Sequence, residues 1–407
     1  MSQITELVDP NTPNIFIHKF PYKEPLIIKT LFLIILFNIS FFVFYLKFSS
    51  LFNISKNTQI LKDSISRRTT PITVFVWLAI SLIIFITQFQ FIIDELNRPS
   101  WQPLEASVVE ILFKSKILLV FPLSGVILTA KALKGIQKID TKILLWFALF
   151  SFFILLLFFK NPLVTKRHEL GPIIFILIFL FIPRLINSNT KIMAMIFLAM
   201  MVGFPVAQLL THIDYGFSQI ISKPSLLFSE IDKGVLTNGY YSLNYDAFLN
   251  IGVVIEHVSN KGINYGYQML SGLFFFVPRA IWTSKPYSSG LVVGNTLRDE
   301  YGFNFTNLSN PFISEAYDNF GMFGLVIFSF FLVYAIFFFK NWLLSSNLLK
   351  KCSAIYFAMH LLMLLRGDFT NGMSYLGGAI ISIYILPTLV EKFIDFFLFA
   401  KVKKIFN

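Results

Sequence analysis

Hydrophobic and polar positions follow each other along the chain in blocks, with long apolar runs separated by short polar segments that carry most of the charge. An α-helix needs about 20 apolar residues to cross the hydrocarbon core of a bilayer. Runs near this length occur at about 26–48, 71–93, 111–130, 142–159, 170–186, 191–212, 321–340, 352–365 and 373–390. The pattern therefore predicts an all-α polytopic membrane protein with about 9–11 transmembrane helices.

A mixed polar and aromatic segment at 213–320 separates two groups of apolar runs. The pattern divides the chain into an N-terminal transmembrane bundle (1–212), this segment as one large loop, and a C-terminal transmembrane bundle (321–407). The loop is rich in Tyr, Phe and Gly, a composition that plain linkers lack. We therefore expect the loop to carry function.

Two short stretches of this loop have helical character. In 246–258 apolar residues recur every three to four positions, which predicts a helix lying on the membrane surface. These apolar positions are Phe248, Ile251, Ile255 and Val258. The stretch 267–282 has too few apolar residues before Pro278 for a full crossing, so it predicts a re-entrant or interfacial helix.

The positions of the cations predict which side of the membrane each loop faces. Lys and Arg cluster between the apolar runs, as the positive-inside rule requires of cytoplasmic loops. These clusters lie at 56–68, 131–142, 340–351 and 401–404. The acidic segment 94–110, the 213–320 loop and the N-terminus are then external. The clusters account for the net charge of +12, which therefore does not indicate nucleic-acid binding.

Composition excludes an ordinary soluble domain and several kinds of enzyme. The chain is 56% hydrophobic, with 50 phenylalanines and a mean hydropathy of +0.70, values typical of membrane proteins. A single cysteine, Cys352, excludes an internal disulfide. The sequence has no P-loop, dinucleotide-binding or HExxH motif, and its five histidines lack metal-ligand spacing. We expect neither a metal nor a cofactor.

Two cations stand out in the stretch 274–290 because each is next to a proline. Arg279 and Lys285 lie beside strongly apolar residues, where a charge is costly and is usually kept for a partner or a substrate. One interpretation is an interfacial anchor, with Trp282 and Tyr287 in the headgroup layer. The other interpretation is a site for an anion at the membrane face.

Carboxylates and a further arginine occur near the predicted outer ends of the later spans. Glu315 and Asp318 lie three residues apart, on one face if the segment is helical. They are candidates for catalysis or simply acids at a helix start, where negative charge is favourable. Arg366 and Asp368 follow another span, and they either pair with each other or join a site. Arginine presents a planar fork that binds phosphate oxygens in pairs.

These blocks together resemble a known family. The sequences VPRAIWTSKP (277–286), SEAYDNFG (314–321) and RGD (366–368) are similar in order and spacing to those of O-antigen or oligosaccharide repeat-unit polymerases of the Wzy type. The layout of several spans, one large external loop and a few further spans also resembles this family. The resembling motifs cover about the last third of the chain.

The resemblance implies a GT-C-like fold and a multi-pass glycosyltransferase of the bacterial inner membrane, active at the periplasmic face without metal or nucleotide. It implies undecaprenyl-pyrophosphate-linked oligosaccharides as donor and acceptor, with membrane lipid, a chain-length regulator protein and a flippase as further partners, and no nucleic acid. Arg279, Lys285 and Arg366 are then the candidates for binding pyrophosphate. Glu315 and Asp368 are the candidates for taking the proton of the acceptor hydroxyl.

Two other functions fit a polytopic protein of this composition. A flippase for the same lipid-linked sugar would be expected to show internal repeats and charges buried at mid-membrane, whereas the charges here concentrate near the ends of the runs. An O-antigen ligase shares the donor and the fold class. The sequence alone separates the polymerase poorly from either alternative.

Overall fold

A computed structural model describes residues 23–59, 69–97, 108–162, 164–203, 217–223, 225–226, 247–302 and 308–405 of the chain. All regular secondary structure in these ranges is helical, which confirms the predicted all-α class. The α-helices in chain order are α1 (Glu24–Gln59), α2 (Pro71–Thr87), α3 (Phe89–Asn97), α4 (Val108–Lys116), α5 (Phe121–Leu133), α6 (Ile139–Phe159), α7 (Arg167–Phe181), α8 (Asn189–Leu198), α9 (Phe217–Ser222), α10 (Ala247–Lys261), α11 (Tyr267–Leu273), α12 (Ser289–Tyr301), α13 (Phe312–Leu344), α14 (Leu348–Arg366), α15 (Phe369–Ile380) and α16 (Leu386–Ile405).

Six helical segments in the described residues are long and apolar enough to cross a membrane. They are Glu24–Phe52, Phe113–Leu133, Ile139–Phe159, Phe312–Leu344, Leu348–Arg366 and Phe369–Phe397. The pair α2 and α3, bent by 65°, is a seventh candidate if it forms one broken span. The prediction of a polytopic helical membrane protein is confirmed. The described part of the chain has six or seven candidate spans, fewer than the nine to eleven predicted.

The predicted span 170–186 forms a shorter helix, whereas the predicted span 191–212 is described only as far as residue 203. α7 has 15 residues, so it is about 22 Å long and shorter than the roughly 30 Å hydrocarbon core. The helix ends before Pro183, because proline disfavours helical angles in the residue before it, here Ile182. Ser188 then caps α8, whose ten residues continue as a π-helical turn to Gly203. Residues 204–212 lie outside the described part of the chain.

The chain divides into two compact units, each built from segments that are distant in sequence. The first unit comprises Met1–Leu61, Gly234–Lys340 and Ala358–Tyr375. The second unit comprises Lys62–Lys233, Asn341–Phe357 and Leu376–Asn407. The first unit thus includes most of the predicted loop together with parts of both predicted transmembrane bundles.

In the first unit α1 and α13 run in parallel. Their aromatic rings meet at three levels, in the pairs Phe37–Phe312, Phe44–Phe330 and Phe52–Phe337. Residue numbers rise together along both helices, so both helices begin at the same end of the unit. Near that end the Lys29 ammonium lies 5.4 Å from the ring centroid of Tyr317, a cation–π contact that ties the two helix starts together.

The helix predicted at 246–258 is present as α10, but its apolar face does not lie on a membrane surface as predicted. Ile251 and Ile255 are buried in the core of the first unit, in one cluster with Leu33 and Phe37 of α1. Helical periodicity shows that one face of a helix is covered, but it does not show whether lipid or protein covers it. Here protein covers it.

The second unit packs α2, α5 and α6 closely together. The Trp77 ring stacks on Phe121 at 4.7 Å between centroids, and its Nε1–H donates to the Phe121 carbonyl at 3.0 Å. α5 approaches α6 where Gly125 faces Phe152, because a Cβ at Gly125 would lie 2.1 Å from the Phe152 ring. A glycine at this position therefore sets the distance between the two helices.

Candidate functional site

The candidate site lies where α13 breaks near its start. Phe320 (φ −141°, ψ 16°) and Gly321 (φ 58°, ψ −142°) have non-helical backbone angles, and those of Gly321 are adopted almost only by glycine. Gly324 allows the next turn to pass close to the first, since a Cβ there would lie 1.8 Å from the Ala316 carbonyl oxygen. The break separates the short segment 312–319 from the long apolar part of the helix.

Glu315 lies in this short segment and is only 2% exposed. Its Oε1 accepts a hydrogen bond from the Ser289 hydroxyl and another, at 2.9 Å, from the Phe369 backbone N–H. Its Oε2 makes no hydrogen bond with the described residues. Ser289 is the first residue of α12 and Phe369 is the first residue of α15. One carboxylate therefore joins three helix starts.

Asp368 completes the N-terminus of α15. Its Oδ1 accepts from the Asn371 backbone N–H at 2.7 Å, and its Oδ2 accepts from the Asn371 side-chain amide at 2.6 Å. The first N–H groups of a helix lack partners within the helix and carry partial positive charge. Glu315 and Asp368 both bond to these groups, and their carboxylates lie close enough to interact electrostatically. The structure thus brings the two acids singled out in the sequence to one place.

Asp318 extends this acidic cluster. Its Oδ2 accepts from Asn264 Nδ2 at 2.8 Å, and its backbone carbonyl accepts from the Asn264 N–H at 2.8 Å. With its amide oriented to suit its neighbours, Gln268 donates to Asp318 Oδ2 at 2.8 Å and accepts from the Ser289 N–H at 3.0 Å. Asp318 Oδ1 is buried and has no hydrogen-bond partner among the described residues. The network connects Asp318 to Glu315 through Gln268 and Ser289.

Three members of this network, Asn264, Gln268 and Ser289, were missed by the sequence reasoning. Their contacts to the acids join residues 26 to 54 positions apart, and no periodicity marks such pairs. A weak signal exists for Gln268, because it is a polar residue in a largely apolar stretch and is buried in the structure. Buried polar groups are almost always hydrogen-bonded, so such residues point to a network.

Lys285 caps backbone carbonyls. Its Nζ donates to the carbonyl oxygens of Phe274, Phe275 and Val277 at 3.1, 3.1 and 3.0 Å. An ammonium has three N–H donors, so all of them are directed at the backbone. Partial burial, and then the charge of Arg279, lower the pKa of Lys285 below its usual value. Lys285 therefore holds a turn in this structure and offers no donor to a phosphate.

Arg279 has a similar role in the same turn. Its Nη1 donates to the Lys285 carbonyl and its Nη2 donates to the Pro286 carbonyl at 2.8 Å. The guanidinium carbon lies 4.4 Å from the ring centroid of Tyr287. A lysine at this position would lack the planar fork through which Nη1 and Nη2 each donate to a separate carbonyl. Loss of function in Arg279→Lys would therefore not by itself show a contact with pyrophosphate.

Arg366 is placed differently from these two cations. It is the last residue of α14, is half-buried, and precedes Asp368 by two residues. It is thus the candidate cation that shares a turn with the cluster formed by Glu315, Asp318 and Asp368, which we call the carboxylate cluster. Of the predicted pyrophosphate ligands, Arg366 is the one that lies within two residues of one of these acids in sequence.

The carboxylate cluster can accept a proton beside a partial positive charge, in surroundings from which water is largely excluded. Within the described residues, no three His, Cys, Asp or Glu side chains are arranged to hold a metal ion. Comparisons of the chain with protein-family models, with curated proteins and with solved structures find no match.

Proposed function

We propose that the protein is a lipid-linked-sugar glycosyltransferase that polymerises undecaprenyl-pyrophosphate-linked oligosaccharide repeat units into a surface polysaccharide at the periplasmic face of the bacterial inner membrane. The convergence of Glu315 and Asp368 at the N-terminus of α15, next to Arg366, carries the proposal. A transfer of this kind needs one group that takes a proton and another that stabilises a departing anion. The cluster and its arginine supply both.

In the proposed reaction the acceptor hydroxyl oxygen attacks the anomeric carbon of the donor. The bond between that carbon and the pyrophosphate oxygen breaks, and undecaprenyl pyrophosphate leaves with the bonding electrons. The hydroxyl proton goes to Glu315 Oε2, the oxygen without a hydrogen bond to the described residues. Because Glu315 is only 2% exposed, a neighbouring segment must move before the acceptor can reach it. Arg366 stabilises the charge on the departing pyrophosphate.

Polymer synthesis by the purified protein tests this proposal. The protein, reconstituted in liposomes with undecaprenyl-pyrophosphate-linked repeat units, is expected to produce a ladder of lengthening chains and to release undecaprenyl pyrophosphate. The ladder is read on a gel and the released lipid by mass spectrometry. In a parallel sample that also contains preformed lipid-linked chains and lipid A core, transfer of the chains to the core without a ladder would mean a ligase. Transbilayer movement of the unchanged repeat unit would mean a flippase. Either result contradicts the proposal.

The flippase alternative has one structural observation in its favour. The second unit holds the buried ion pairs Lys131–Glu391, at 2.9 Å, and Lys160–Glu169. Charged residues within membrane-spanning bundles often mark transport pathways. Each of these four residues is partnered by an opposite charge, however, and Thr69 also donates to Glu391. These contacts are those of structural pairs, so we place the polymerase first.

Arg366→Lys is expected to shorten the polymer at normal protein levels. Lysine retains the charge but loses the planar fork that binds two phosphate oxygens. Loss of such a charge-assisted pair costs roughly 1.5–3 kcal/mol, about one to two orders of magnitude in rate. Chain length is measured on a gel beside a blot for the protein. Arg298→Lys, at an exposed arginine paired with Asp299, is the matched control. Wild-type chain lengths in Arg366→Lys would remove Arg366 from the site.

A further inference from the structure

Residues 265–287, which we call the aromatic loop, expose large apolar side chains although they belong to no candidate span. Ile281 is 78% exposed and Phe276 is 61% exposed. Tyr265, Tyr267, Leu273, Phe274 and Tyr287 are also exposed. Contiguous apolar surface of this kind marks an interaction site. The single helix in the loop, α11, has seven residues and cannot cross a bilayer.

Along the sequence, the charged residues in and near the aromatic loop are all positive. From His257 to Leu297 the chain contains Lys261, Arg279 and Lys285 but no aspartate or glutamate. The exposed apolar residues are therefore flanked in sequence by positive charge only, and Asp318, which Gln268 of this loop contacts, is buried. This combination complements an interfacial layer of anionic lipid headgroups, which attracts basic segments that carry aromatic residues.

Side chains of the aromatic loop donate hydrogen bonds to backbone carbonyl oxygens of the same loop. Lys285 donates to three carbonyl oxygens and Arg279 donates to two more, all in an irregular stretch that provides few backbone partners. In water, these carbonyls would bond to solvent and need no side chain. Non-helical backbone next to lipid is tolerated only when its polar groups are satisfied by the protein. The two cations thus meet a requirement that arises at a membrane and not in water.

We propose that the aromatic loop inserts into the interfacial layer of an anionic phospholipid bilayer, with Phe276 and Ile281 deepest. Arg279 and Lys285 both cap carbonyls of the loop, Arg279 from an exposed position and Lys285 from a partly buried one. The loop joins α10 to α12, both in the first unit, where α1 and α13 are candidate spans. This insertion does not depend on the proposed sugar transfer.

Spin labels measure the depth of the loop directly. The only cysteine, Cys352, is fully buried, so Phe276→Cys and Ile281→Cys can be labelled selectively, and the unsubstituted protein gives the background. In liposomes containing phosphatidylglycerol, the ratio of oxygen to nickel-chelate accessibility reports lipid against water. Ile143→Cys, at a 63% exposed position about one turn from the start of the candidate span α6, is the lipid reference at a shallow depth. Asp299→Cys, at an exposed position of α12, is the aqueous reference.

Labels at 276 and 281 are expected to match the lipid reference. Values equal to those at 299 would overturn the proposal. Dipolar broadening between labels on separate molecules, with low access to both reagents, would mean that a second copy covers the loop and would also overturn it. No sugar donor is present in this experiment, so its result is independent of the proposed enzyme activity.

Substitutions of Lys285 test the role of carbonyl capping. Lys285→Met retains the apolar stem but leaves the Phe275 and Val277 carbonyls without a donor, whereas the Phe274 carbonyl keeps its bond from the Val277 N–H. The label at 276 is therefore expected to shift toward the aqueous value. Lys285→Arg retains donors and is expected to leave the label in lipid. A label that stays at the lipid value in Lys285→Met would refute the capping role, whereas a shift in both variants would mean that any change in this turn disturbs the loop.

Discussion

Glu315→Gln is expected to reduce the rate of undecaprenyl-pyrophosphate release by about two to four orders of magnitude, the usual effect of removing a general base. The glutamine oxygen still accepts hydrogen bonds from Ser289 and from the Phe369 N–H, so the three helix starts stay joined. An amide cannot take a proton from the acceptor hydroxyl at neutral pH. The measurement is the initial rate with the purified protein, beside its melting temperature.

Two further variants serve as controls for Glu315→Gln. Glu300→Gln changes an exposed acid at the end of α12 and is expected to leave the rate unchanged. Asp368→Asn is expected to have a mild effect, because Asp368 acts as a helix cap and asparagine caps almost as well. A normal rate in Glu315→Gln together with a large loss in Asp368→Asn would exchange the two roles. Normal rates in both would exclude the carboxylate cluster from catalysis.

Gly324→Ala is expected to lower both the melting temperature and the activity. The added Cβ would lie 1.8 Å from the Ala316 carbonyl oxygen, which belongs to the backbone and cannot rotate away. Overpacking costs typically about 1–3 kcal/mol, and a backbone obstacle should bring the cost to the top of that range or above it. Relief requires the segment 312–319 to shift, and Glu315 shifts with it. Thermal unfolding in detergent and the rate of undecaprenyl-pyrophosphate release give the two readouts.

Gly171→Ala is the matched control for this substitution. Gly171 is a helical residue of α7 with no atom within 4 Å of an added Cβ. Alanine in a helix is favoured over glycine by roughly 0.5–1 kcal/mol, whereas a Cβ directly before Pro172 disfavours helical angles. The two effects oppose each other, so the melting temperature should change little. A melting temperature for Gly324→Ala as high as that for Gly171→Ala would contradict the close passage of the chain at the helix break.

Hydropathy predicted the helices that are long and uninterrupted. The run 142–159 corresponds to α6, and the run 26–48 lies within α1. It failed where a proline and a capping serine divide an apolar stretch, as between α7 and α8. The mean hydropathy of a sequence window is insensitive to a single residue that ends a helix. Local chemistry therefore overrode composition at the predicted span 170–186.

The acids of the site were predictable, whereas the partners that hold them were not. Glu315 and Asp368 stand at helix starts next to recognisable motifs, and the structure brings them together. The roles of Arg279 and Lys285 depend on which carbonyls a turn presents to them, and residue types alone do not show this. The same chemistry that makes a cation fit for phosphate also makes it fit for a carbonyl. Only the three-dimensional turn distinguishes the two uses.

The sharing of one Glu315 oxygen between Ser289 and Phe369 has a consequence for how the protein is made. Synthesis and membrane insertion run from the N-terminus, so Glu315 is inserted while its partner 54 positions later has not yet been made. During that interval the Glu315 carboxylate can accept the hydrogen bond from Ser289 but not the one from Phe369. The carboxylate cluster is therefore completed late in biogenesis, after α14 and the first residues of α15 have been synthesised. A nascent or truncated chain that ends before Phe369 should be inserted but inactive.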